Sequence, residues 1–119
     1  MLMAYMQIAT TNRTTLVFAM LAQDQQLEFL RQKQESFVKQ VWDAYPYFFW
    51  RPTRIEDGLL RENALELEKA NAEAAGLLFQ LFQQGNSKPD TWYDSAFRST
   101  ERVQKAIDAV DSRLTQMDW

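Results

Sequence analysis

Residues 12–44 read NRTTLVFAMLAQDQQLEFLRQKQESFVKQVWDA, a run without glycine or proline. Met20, Leu27, Gln34 and Val41 recur every seven positions. Leu16, Gln23, Leu30, Phe37 and Ala44 form a second sevenfold row, offset by three. Interleaved rows of this kind draw an apolar stripe down one face of a helix, in the manner of a coiled-coil seam. The spacing predicts one long helix over about 12–45, capped by Asn12 or Thr11. Gln23 and Gln34 interrupt the stripe, and polar residues in a seam fix register or partner choice at a cost in stability. The stretch Leu16, Val17, Phe18, Met20 and Leu21 is apolar nearly all round, which predicts burial on more than one side. Leu2, Met3, Tyr5, Met6 and Ile8 are expected to form a short extra helix folded back over it, or else a second subunit covers it.

Only three glycines and three prolines occur, and they mark the breaks. Pro46 and Pro52 bracket one junction; Gly85 to Pro89 form the other. A second helix is predicted over about 54–84. Thr53 and Glu56 fit a capping box at its start, Gly58 weakens its first turn, and Gly85 is a left-handed stop. Leu60, Leu67, Ala74 and Leu81 carry its sevenfold row, with Ala64, Asn71 and Leu78 between them. The small residues Ala70 to Gly76 permit close approach of a neighbour. A third helix is predicted over about 88–118, its start set by Ser87, Pro89 and Asp90 and its stripe by Phe97, Val103, Ile107, Val110 and Leu114. Strand and hairpin patterns are weak. The expected fold is therefore all-α: one domain over 1–119, an elongated up-down-up three-helix bundle with a short additional N-terminal helix.

Composition narrows the function. The 119 residues include no cysteine and no histidine. Disulfides, thiolate metal sites, Cys nucleophiles and histidine-based catalysis are thereby removed from the repertoire. Net charge is −3 and the basic residues are scattered, so no nucleic-acid partner is expected. The densest apolar run is too short to span a bilayer, so no stable membrane insertion is expected. The N-terminal stretch lacks a basic leader and does not read as a signal peptide, which makes the cytoplasm the expected location. The acidic residues Glu56, Asp57, Glu62, Glu66, Glu68 and Glu73 read as a solvated helix face, so no metal or other cofactor is expected.

One feature exceeds the needs of a helical core. Residues 45–53 read YPYFFWRPT, five aromatics and two prolines at a helix junction. The end of a slender bundle has little room for rings of about 150–250 Å² each. Tyr45, Tyr47, Phe48, Phe49 and Trp50, flanked by Arg51 and Arg54, have the composition of an interface hot spot. The expectation is a non-enzymatic protein–protein interaction module, an adaptor, regulator, inhibitor or chaperone, docking another protein through this corner. The first alternative is a structural homo-oligomer with the corner as self-interface. A lesser one is a small helical enzyme using Arg, Lys and Glu between helices.

Overall fold

A computed structural model of the chain describes residues 2–45, 51–83, 85 and 88–117. The fold is all-α, but the described residues form four helices rather than three: α1 (Leu2–Leu21), α2 (Asp24–Ala44), α3 (Gly58–Gln83) and α4 (Asp90–Met117). A single 3₁₀ turn, Pro52–Arg54, precedes α3 among the described residues. The molecule is elongated, 47 × 30 × 22 Å.

The long helix expected over 12–45 is broken at Ala22 and Gln23. Gln23 leaves the helical region for extended backbone, φ −76° and ψ 156°. Its N–H donates to Gln26 Oε1 at 2.9 Å, and the Gln26 N–H donates to Gln23 O at 2.9 Å. This is the reciprocal logic of a capping box, built from glutamine. Asp24 adds a negative charge in the first turn, where the helix dipole favours it. On the other side of the break, the Lys88 ammonium donates to Ala19 O at 3.0 Å and Ala22 O at 2.6 Å. Two carbonyls at the end of α1 are thus satisfied by a cation from the connection that precedes α4.

The extra N-terminal helix is also corrected. Residues 2–8 are the first turns of α1 itself, continuous with Asn12 to Leu21. Asn12 is no cap; it lies mid-helix and 3% exposed. After the break α2 runs back along α1. Gln34 meets Asn12, and Val41 packs with Ile8 and Ala4. The sevenfold rows run across the break because each half supplies one side of a hairpin.

The remaining contacts set an up-down-up-down order. Asn71 of α3 faces Tyr5 and Asn12 of α1. Arg102 of α4 reaches Glu66 and Glu73 of α3, and Arg13 of α1 reaches Thr100 of α4. Helices α1, α3 and α4 enclose the main core, with Leu16, Leu67, Leu81, Val103 and Val110 fully buried. Buried Ala64, Ala70, Ala74, Ala96 and Ala106 let α3 and α4 approach closely. Of the small stretch in α3, Ala70 and Ala74 serve this purpose, whereas Ala72 and Gly76 face solvent. Helix α1 touches all three of the others; α2 rests on α1, grazes α3 and does not meet α4 among the described residues.

The start of α3 departs from the expected capping box. Pro52 to Arg54 turn as a 3₁₀ helix, and Asp57 accepts the Leu60 N–H at 2.8 Å, so Asp57 is the cap. Gly85 has φ 66°, the left-handed stop its position after α3 suggests.

Candidate functional site: an apolar groove along the first helix

The aromatic corner is the site that the sequence points to. Tyr47, Phe48, Phe49 and Trp50 lie outside the described residues, as does Pro46. Tyr45 ends α2, its N–H directed to Val41 O at 3.2 Å and Trp42 O at 3.3 Å, with its side chain exposed. Arg51 and Arg54 are exposed on either side of buried Pro52. Tyr45 and the two arginines therefore belong to different elements, joined through the five residues outside the described set. Arg61, further along, turns inward and donates to Ile55 O at 3.0 Å.

The opposite end of the molecule carries surface that sequence reasoning assigned to the core. Leu16 and Ala19 are buried, as the all-round apolar stretch implies. Phe18 and Leu21 are not: they are 56% and 80% exposed, and Phe29 across the hairpin is 61% exposed. Together with Ala22, Gln25 and Leu30 they line an open hollow of about 430 Å³. The hollow continues. Phe18 and Leu30 also border a second one of about 350 Å³, which includes Thr11, Thr14, Lys33 and Phe37. Thr11 and Phe37 in turn border a third, also about 350 Å³, with Met3, Thr10, Ile107 and Asp111. The result is a groove along one flank of α1, walled by α2 along its length and by α4 only at the third hollow; α2 and α4 stand apart from each other.

The walls are mostly apolar or uncharged polar. Lys33 holds its ammonium 5.2 Å from the centre of the Phe29 ring, a distance at which cation and ring attract. Threonine hydroxyls, glutamine amides and the Asp111 carboxylate of the third hollow are the other polar groups. Such a lining can bind apolar surface and offer a few hydrogen bonds; it presents no nucleophile paired with a base. The signal for it was present in the sequence as the apolar run 16–21, but the pattern could not separate two buried sides from three.

Ionised groups with shifted titration serve structure and lie away from the groove. The Arg113 guanidinium, aided by the Leu60 N–H, draws the Asp57 carboxyl down from 3.8 to about 2. Arg102 bridges Glu66 and Glu73 at 2.7 and 2.8 Å and lowers Glu66 in the same way. A polar chain crosses the interior: Gln34 Nε2 to Asn12 Oδ1 at 2.8 Å, Asn12 Nδ2 to Asn71 Oδ1 at 2.8 Å, and Asn71 Nδ2 to the Tyr5 hydroxyl at 3.1 Å. Burial raises the Tyr5 phenol above its usual range. Among the described residues, no cluster of three acidic, His or Cys side chains could hold a metal ion, and no helix is long and apolar enough to cross a membrane.

No family model, curated protein or solved structure matches the chain.

Proposed function

We propose that the protein is a non-enzymatic interaction module, a small helical adaptor, regulator, inhibitor or chaperone-like protein, that docks another protein chain at the α1–α2 hairpin. What carries this reading is the exposure of Phe18, Leu21 and Phe29 around one open apolar hollow. Large apolar side chains exposed singly are ordinary, but a contiguous group bordering a concavity marks an interaction surface. The absence of histidine and cysteine from the sequence supports a binding role over a catalytic one.

A second docking point is proposed at the aromatic corner, Tyr45 to Arg54. The exposure of Tyr45 and Arg54, with half-exposed Trp42 on the preceding turn, supports it. Tyr, Trp and Arg are the residue types that dominate interface energetics.

Site-specific photo-crosslinking tests the reading. A photoreactive residue is placed at Leu21, at Tyr45 or at Gln80 on the exposed face of α3, in the cells that make the protein. Protein adducts at Leu21 and none at Gln80 are the expected result. Equal labelling at all three, or none at Leu21, contradicts docking at the hairpin.

A further inference from the structure

Residues 2–44 contain no glycine and no proline, yet the chain reverses at Ala22 and Gln23. The backbone groups capped at this break form two matched pairs. In an unbroken helix the Gln23 N–H would donate to Ala19 O, and the Gln26 N–H to Ala22 O. At the break each of the four has a substitute partner. The Gln23 N–H donates to Gln26 Oε1 at 2.9 Å, and the Gln26 N–H to Gln23 O at 2.9 Å. Lys88 covers Ala19 O and Ala22 O, at 3.0 and 2.6 Å. Closing the break into a helix therefore leaves none of the four bare. The helix face also runs on in phase. Phe18, Leu21, Ala22, Gln25, Phe29 and Leu30, which line the hollow at the break, keep the threes-and-fours spacing of one helix. Alanine and glutamine both favour the helical state. Helix α2 is the element least held: it buries only Leu27 and Val41 deeply and does not meet α4 among the described residues.

We infer that the α1–α2 hairpin is a hinge: it opens into one straight helix over residues 2–44, and two opened copies exchange their α2 helices. A straight helix of that length measures about 65 Å, longer than the 47 Å molecule, so α2 leaves its own α1 entirely. Opening bares the side of α1 that α2 covers, where Ala4, Ile8 and Asn12 are buried, and the side of α2 that carries Val41. What fits the vacated place is another α2. In the exchanged pair Gln34 of one copy meets Asn12 of the other, and Val41 meets Ile8 and Ala4. These are the contacts that the closed chain makes within itself. The pairing of Asn12 with Gln34 also sets Gln23 level with its own copy. The two-fold axis therefore crosses the antiparallel helices at the hinge, as an isologous exchange requires. The contacts of α2 away from the hinge are the same in both forms, so hinge residues and concentration set the balance between them. This goes beyond the docking of another protein at the hairpin and does not depend on it.

The test joins mass to distance. Light scattering behind size exclusion on the full chain, from about 1 to about 500 µM, is expected to show the mass rising toward twice 14.0 kDa. The chain has no cysteine, so Gln7→Cys with Gln40→Cys, both at exposed positions, takes two spin labels. Labelled chain in an excess of unlabelled chain reports the distance within one chain. That distance is below about 25 Å in the hairpin and about 50 Å in the opened helix. The longer distance is expected in the dimer fraction. Gln23→Pro is expected to abolish both the dimer and the long distance. Gln23 has φ −76°, which proline adopts, whereas inside a helix proline removes a bond and clashes with the preceding turn. Lys88→Ala is expected to raise the association constant roughly tenfold or more, because only the closed form uses the Lys88 bonds. A monomer at every concentration, in wild type and in Lys88→Ala, overturns the exchange. So does a dimer whose labels stay close, whatever the variants do. A dimer that Gln23→Pro leaves intact, with its helical circular dichroism unchanged, overturns it as well.

Discussion

Asn71 shows how much one residue decides. Its carboxamide is 7% exposed and links Asn12 to Tyr5 across two helices. A buried amide that loses its partner costs about 1–3 kcal/mol. Asn71→Ala is therefore expected to lower the unfolding free energy by that amount in urea titrations. Replacing Asn12 and Asn71 together by leucine is expected to cost no less than Asn71→Ala, because it also takes the Asn12 acceptor from Gln34 and the Asn71 donor from the Tyr5 hydroxyl. A second residue-scale expectation concerns acid. The Asp57 carboxyl is held at about 2 by Arg113 against an ordinary 3.8. A carboxyl whose folded pKa is depressed stabilises the fold above its unfolded pKa, and that contribution is lost as pH falls through the folded one. Stability is expected to fall between about pH 4 and pH 2, and Asp57→Asn should flatten the curve in that window; an unchanged pH profile contradicts the pairing. Asn71 could be read from the sequence as a polar break in an apolar row. Asp57 could not: Thr53 and Glu56 offered a complete local cap, and it lost to an aspartate whose second partner, Arg113, lies at the far end of the last helix.

At the scale of elements, the break between α1 and α2 decides the architecture. Glycine or proline would have announced it. Here Gln26 caps Gln23, and Lys88 closes the end of α1 from the connection between α3 and α4. The local part is Gln26 reaching back to the Gln23 N–H, as Glu or Gln does in a capping box, with a backbone carbonyl where a Ser or Thr side chain would stand, and the long-range part leaves no trace in the neighbouring sequence. Lys88→Ala is expected to destabilise the fold by about 1–2 kcal/mol and to speed hydrogen exchange in the last turn of α1, measured by mass spectrometry. Uniform exchange in that turn would show that the carbonyls are satisfied otherwise. Helices α3 and α4 were legible because their ends carry conventional signals: Gly85 after the first, Pro89 and Asp90 at the start of the second.

For the whole molecule, the sequence conveys the helical class and the elongated form. It does not convey which helix is central. Helix α1 has neighbours on three sides, and its fourth side is the exposed row Met3, Gln7, Thr10, Thr14, Phe18 and Leu21. Helix α2 buries only Leu27 and Val41 deeply, so it is the element with least to hold it. Exposed and buried sides of α1 look alike in composition, which is why the groove was assigned to the core. The row exists only if residues 2–21 are one helix lying at the centre. Amide hydrogen exchange across the chain measures that. Residues 2–21 are expected to be protected along their whole length, with α2 opening first and a gap in protection at Ala22 and Gln23. Rapid exchange over residues 2–8, with unbroken protection through 22–24, would restore a single long helix and remove the surface on which the proposed docking depends.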